Sequence, residues 1–480
     1  MQWQLAIHIK LNLDANTPKV ITDHTGILSS PSFLTWLSER KTSYAIATST
    51  ADLMAFTAQT DLLNIITPKS DIPAFITNKW THKTFSWSDV PVNGNAHIAL
   101  KNLSGEQLSN LLDAIYEVDR HQVLHETDIP KWLKIASNRI SQRKIESIQK
   151  EIQTVISEPA SIESIFAVGK YWGELIYLNY QTKSKQNKVL QAEIDLWSQA
   201  FFFANGMEKV MFASTPKSPK SVDRILSNIK TSQNDKIALI CFDCMGWAEW
   251  LLLKDYLKDE EITFQEDTLL AMLPSVTAIS RSAIFQGSRD VYNLKSPGRA
   301  TEAKSFTAFF ENKHTKYFTD KDEISADALL GYDAVSVLYT FYDDLGHSTH
   351  FAPNEESKEP YYDAVCRYLE KSTVKDDINT LLQNGYSIFI CSDHGSVVAV
   401  GNGKKLEKYL IDSFAKRAAI VPSDAVSHVK QQTLKIPFVD DKVLALPEGR
   451  TMYVNMGTIE VNHGGITLEE MVVPYIKLKQ

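Results

Sequence analysis

Three apolar runs of strand length stand out in the second half of the chain: Lys236-Ile-Ala-Leu-Ile-Cys-Phe242, Ala334-Val-Ser-Val-Leu-Tyr-Thr-Phe-Tyr342 and Tyr386-Ser-Ile-Phe-Ile-Cys391. None alternates apolar with polar positions, as a strand with one face in water would. Each is therefore predicted to lie in a parallel sheet covered on both faces by helices. Each run ends within a residue or two of an aspartate: Asp243, Asp343 and Asp393. Sites in open α/β sheets form just beyond the carboxyl ends of the strands. One strand ending in Asp is ordinary turn chemistry, but three would put three hard oxygen ligands on one rim.

The pattern upstream is different. Lys19–Asp23, Tyr44–Thr48 and Leu63–Thr67 read as short strands, with an amphipathic stretch Phe33–Arg40 between the first two. Strand, helix, strand predicts a small α/β domain over residues 1–120. From Ile129-Pro130 the spacing turns helical: Lys131–Glu158, Leu190–Asn205 and Val222–Ile229 carry apolar residues on recurrent faces. Residues 121–234 are predicted to be a helical connector, and residues 235–480 a larger domain that carries the three apolar runs. The predicted fold class is α/β, with a mainly parallel sheet in that last region.

Composition narrows the function classes. With 44% hydrophobic and 22% charged residues, the chain is neither a disordered nor a membrane composition. No apolar stretch approaches the roughly 20 residues of a membrane helix. A net charge of -8 argues against a broad nucleic-acid-binding face, though not against a local basic cleft. Four cysteines, Cys241, Cys244, Cys366 and Cys391, are too few for a disulfide framework. The start has no basic region followed by an apolar one, so a cytoplasmic setting is expected.

The chemistry sits in four segments. In Asp343-Asp-Leu-Gly-His347 a carboxylate and an imidazole four residues apart, with Gly at the bend, can converge on one cation; Asp344 and His350 are rivals. Ser392-Asp393-His394-Gly395 follows an apolar strand, where a turning backbone lets adjacent Asp and His face one site. Val461-Asn-His463-Gly464-Gly465 puts a histidine on a close-packed loop. Three His and three Asp divide naturally into two sites of the kind zinc uses, and paired metals can hold the attacking and leaving oxygens of a phosphoryl group. The fourth segment, Pro274-Ser-Val-Thr277-Ala-Ile-Ser-Arg281, offers a nucleophile. Thr277 falls where a helix would begin, a place that favours anions, and Arg281 lies one turn on. Ser275 is the rival hydroxyl.

In this order and spacing, Asp243, P-S-x-T, D-x-x-G-H, S-D-H-G and N-H-G-G followed by T-L-E-E-M-V-V-P resemble the PglZ family of the alkaline phosphatase superfamily, over residues 240–475. Pro18 to Leu28 resembles the start of such proteins more weakly. The resemblance implies an alkaline-phosphatase-like fold and two divalent metal ions, both zinc. Asp243, Thr277, Asp393 and His394 would hold one, with Thr277 as nucleophile; Asp343, His347 and His463 would hold the other. It also implies phosphodiesterase activity on nucleotides, and protein partners in a bacterial anti-phage system such as BREX. Ser282 departs from the Asn that related sequences often carry after the arginine. The other function class compatible with these residues is a non-catalytic, metal-binding scaffold of a defence complex.

Other features have plainer readings. Cys241 and Cys244, spaced C-x-x-C without a second pair, read as buried small hydrophobes, and Trp247 and Trp250 as core. Lys404, Lys405 and Lys408 read as a solvated helix start, and Arg139 to Lys150 as a solvated helix face.

Overall fold

The computed structural model describes residues 2–59, 61–94, 96–119, 121–258, 262–294, 298–352, 357–404 and 413–479. Lys405 and Lys408 lie outside the described residues. The chain forms two compact units, residues 1–144 and 145–480. No helix among the described residues is long and apolar enough to cross a membrane.

The first unit is an α/β sandwich around a four-stranded parallel sheet. Lys19–Asp23 pairs with Asn64–Thr67 on one side and Thr81–Phe85 on the other, and Tyr44–Ile46 extends the first edge. The predicted helix is present as Pro31–Glu39, with Pro31 at its first turn, where its missing N–H costs nothing. Asp23 ends its strand in a turn of its own: it accepts hydrogen bonds from the Thr25 amide at 2.8 Å and the Leu28 amide at 2.9 Å.

In the second unit a six-stranded sheet runs in the order Thr263–Leu270, Val472–Lys479, Ser387–Ser392, Ile237–Phe242, Ala334–Tyr339, Thr315–Thr319. Val472–Lys479 alone runs against the others. The sheet is thus mainly parallel, as expected. Ile237–Phe242 and Ala334–Tyr339 are buried at every position, which explains their lack of alternation.

Parallel pairing of Cys391 with Cys241 and of Ser392 with Phe242 brings Asp243 and Asp393 out side by side at one end. Asp343 arrives differently from the expectation. Its strand stops at Tyr339, and Phe341–Ser348 is a helix, so Asp343 and His347 converge by i, i+4 spacing and not around a glycine bend. A small three-stranded sheet supplies the last histidine. There Val397–Gly401 pairs antiparallel with Ile459–Asn462, in the register Val397 to Asn462. That register returns His463 to the turn that follows Asp393.

Ile162–Thr182, not among the expected helices, is helical and belongs to the second unit. Its glycines are there for close approach. A Cβ on Gly169 would lie 2.5 Å from Val472 Cγ1, and one on Gly173 2.3 Å from Trp247 Cβ. Cys241, Cys244, Trp247 and Trp250 are core residues, as expected.

Candidate metal centre

Asp243, Asp393 and His394 gather at the carboxyl end of the two central strands, with ligand atoms within 4.8 Å of one another. All three are buried. The turn that carries them depends on Gly395, because a Cβ there would meet the Glu469 carbonyl oxygen at 2.0 Å. Asp393 is held by its backbone neighbours: Oδ1 accepts from the Cys244 amide at 3.1 Å and the His394 amide at 3.0 Å. Its Oδ2 is buried and has no hydrogen-bond partner among the described residues. A buried carboxylate oxygen left bare is costly unless something positive reaches it. His394 Nε2 stands 3.6 Å from that oxygen and 3.7 Å from Asp243 Oδ1. His394 Nδ1 is 3.1 Å from the Gly395 carbonyl, so a proton on Nδ1 leaves the Nε2 lone pair to the site.

A second group, Asp343, His347 and His463, again has ligand atoms within 4.8 Å. Asp343 Oδ1 lies 3.4 Å from His347 Nε2 and 3.5 Å from His463 Nε2. His463 is held as His394 is, with Nδ1 3.2 Å from the Ser275 carbonyl, so a proton there leaves the Nε2 lone pair to the site. The His394 and His463 rings stack at 4.0 Å between centroids, 18° from parallel, and this joins the two groups into one centre. The rivals Asp344 and His350 belong to neither group; Asp344 Oδ2 is engaged by Thr340 Oγ1 at 3.0 Å.

Solvent access divides the centre. His394 is sealed, whereas the His347 side chain is 44% exposed, so the route in lies on the side of the second group. Electrostatics follow this gradient. Burial, then the nearby Asp243 carboxylate, pushes the Asp393 carboxyl well up. Burial also raises Asp243, against the opposing charge of Arg281. Burial, reinforced by His463, drives His394 well below the usual imidazole range, so it is neutral and fit to ligate. Asp343 goes the other way: burial would raise it, but hydrogen bonds from His347 and His463 hold it far below the carboxylate range. These donor sets, with a bare Asp393 oxygen and two imidazoles poised through Nδ1, fit divalent cations well.

Thr277 is the first residue of the helix Thr277–Gln286 and is half-buried. Its Oγ1 lies 3.0 Å from His394 Nε2 and 3.4 Å from Asp243 Oδ1. Ser275 faces elsewhere. It is fully buried, donates to the Gly465 carbonyl at 2.8 Å and accepts from the Gly464 amide at 3.2 Å. Arg281, one turn into the helix, gives Nη1 to Asp243 Oδ2 at 2.5 Å. Its Nε donates to Glu302 Oε1 at 2.9 Å. Glu302 is a participant the sequence did not reveal: it stands 21 residues further on, at an ordinary acidic first-turn position of Arg299–Phe309.

A family model described as the BREX system PglZ alkaline phosphatase-like domain matches residues 222–478. The chain belongs to the PglZ family. Every residue of the centre falls inside the matched PglZ segment. Among solved structures, the chain is similar to murine ectonucleotide pyrophosphatase / phosphodiesterase 5 in complex with AMP, at 12% identity and a TM-score of 0.35, over 51% of this chain and 88% of that one. It is also similar to phosphonoacetate hydrolase from Sinorhizobium meliloti 1021 in complex with phosphonoformate, at 15% identity and a TM-score of 0.31, over 50% and 89%. No curated protein matches the PglZ chain.

Proposed function

We propose that this PglZ-family chain is a metal-dependent phosphoester hydrolase, with Thr277 as nucleophile. The observation that carries the reading is the hydroxyl at a helix start, 3.0 Å from an imidazole nitrogen of a buried Asp-Asp-His cluster that has one carboxylate oxygen bare. Asp243, Thr277, Asp393 and His394 would hold one divalent ion, and Asp343, His347 and His463 another; zinc suits this set of imidazoles and carboxylates. Such ions supply a Lewis acid for phosphoryl oxygens and ease loss of the nucleophile's proton.

The chain's own residues account for the rest. Asp243 Oδ1 accepts the Thr277 hydroxyl and orients Oγ1, while Arg281 occupies Oδ2 and so keeps the carboxylate from rotating. Attack forms the Oγ1–P bond and breaks the P–O bond to the leaving alcohol, which takes up the proton that the hydroxyl gives up; water then attacks phosphorus, the Oγ1–P bond breaks, and a water proton restores the hydroxyl. The Ile279 and Ser280 amides are taken by the Val276 carbonyl, so it is the Thr277 and Ala278 amides at the helix start, with the Arg281 charge, that would meet the anionic substrate. We take the substrate to be a phosphodiester of nucleotide type and the setting to be an anti-phage system with protein partners in the cytoplasm; the family resemblance and the BREX description of the matched domain support this reading.

Purified chain loaded with zinc is expected to bind up to two ions and to hydrolyse an aryl phosphodiester, with a chelator abolishing turnover and added zinc restoring it. Two bound ions with no hydrolysis of aryl diesters, aryl monoesters or oligonucleotides would favour the scaffold reading instead.

A further inference from the structure

Arg281 meets two carboxylates, and only one of them is in the metal centre. The other, on Glu302, is 3% exposed and comes from the neighbouring helix Arg299–Phe309. Glu302 Oε1 accepts from Arg281 Nε at 2.9 Å, and Glu302 Oε2 accepts from the Tyr317 hydroxyl at 2.7 Å. Tyr317 sits on the edge strand Thr315–Thr319, and its ring packs against Phe285 at 5.4 Å between centroids. Sheet and helices thus fix the phenol, the phenol fixes the carboxylate, and the carboxylate fixes the guanidinium through its inner nitrogen.

A guanidinium beside a single carboxylate prefers to fork onto both oxygens. On Asp243 that would cover Oδ1, the oxygen that faces Thr277 and His394. Held at Nε by Glu302, Arg281 instead offers Asp243 a single bond from Nη1. Its Nη2 makes no hydrogen bond among the described residues.

We propose that Glu302, buttressed by Tyr317, is a positioning residue that acts through Arg281: it keeps Asp243 Oδ1 clear and reserves Nη2 for a phosphoryl oxygen of the substrate. The inference rests on the hydrolase reading for its substrate, but its test does not depend on turnover. The probe is inorganic phosphate, titrated calorimetrically into zinc-loaded protein freed of excess metal. Arg281→Ala is expected to weaken phosphate about tenfold or more, as loss of a charge-assisted contact does. Glu302→Gln keeps one acceptor but turns an NH2 toward one of its two donors, Arg281 Nε or the Tyr317 hydroxyl, and should weaken phosphate several-fold; Tyr317→Phe should act in the same direction. Introduced into Arg281→Ala, however, Glu302→Gln should change nothing further, because the residue it works through is gone. Zinc content and thermal midpoint, read in parallel, separate this from a general loss of fold.

An equal Glu302→Gln effect in both backgrounds would overturn the proposal, as would an unchanged phosphate affinity or a wild-type protein that binds no phosphate. Non-additive binding in a protein that hydrolyses nothing would sink the hydrolase reading and leave this inference standing. Metal-dependent turnover with additive variants would do the reverse.

Discussion

Thr277→Ala is expected to lower phosphodiester turnover by at least about a hundredfold, the scale set by losing a directly acting catalytic group. The side chain is half-buried at the start of a helix, and its loss opens no large cavity. Six of the seven proposed ligands remain, so folding and most metal binding should survive. Thr277→Ser keeps the hydroxyl and should retain measurable activity. Ser275→Ala is a sharper control than its position suggests. Its hydroxyl ties down the Gly464–Gly465 backbone, next to His463. That variant should lose metal or stability along with activity, whereas Thr277→Ala should lose activity while keeping its fold and most of its metal. Steady-state kinetics with metal analysis on all three variants checks this. Full activity in Thr277→Ala with loss in Ser275→Ala, zinc retained in both, would move the nucleophile to Ser275.

Asp393→Asn should reverse its effect on stability with metal. In zinc-free protein, Asp393 is a buried carboxylate beside a second one, with one oxygen bare. Burial raises its pKa in the folded state, so at any pH well above the ordinary carboxylate value of about 3.9 folding has either to take up a proton there or to bury the charge, and both cost stability. Asparagine removes that charge and keeps an acceptor for the Cys244 and His394 amides. The zinc-free variant should therefore melt no lower than zinc-free wild type. With zinc the order inverts. Loss of a ligand should weaken that ion at least about a hundredfold, since even outer-shell partners are worth about 10- to 100-fold. Wild type at a free metal concentration of 100 times its Kd gains about 2.7 kcal/mol that the variant then mostly lacks. Hydrolysis should fall to background. Thermal unfolding with chelator and with zinc reads both signs in one experiment. A variant that melts lower than wild type in both conditions would mark Asp393 as a purely structural residue.

Much of the sheet was legible because strands buried on both faces leave an unmistakable apolar run, and Ile237–Phe242 and Ser387–Ser392 sit where those runs are. The third run misled by its length. Phe341 and Tyr342 continue the apolar pattern past Tyr339, but they are buried as the first turn of a helix, and hydrophobicity alone does not mark the change. Asp343 and His347 are legible all the same, because i, i+4 spacing serves a helix as well as a bend. Ile162–Thr182 escaped because two glycines cost a helix about 1 kcal/mol each relative to alanine. Their compensation is contact with Val472 and Trp247, which no local pattern records. Glu302 is the same problem at longer range: its partner Arg281 lies on another helix, and nothing in Arg299-Ala-Thr-Glu302 points to it.

The most direct measurement is anomalous diffraction at the zinc edge from crystals of the zinc-loaded chain. Two peaks are expected, about 3.5–4 Å apart as in paired-metal phosphoryl-transfer sites. One should touch Asp243, Thr277, Asp393 and His394, and the other Asp343, His347 and His463. Peaks elsewhere, or a loaded crystal in which Asp393 Oδ2 still faces no ion, would contradict the two-metal account.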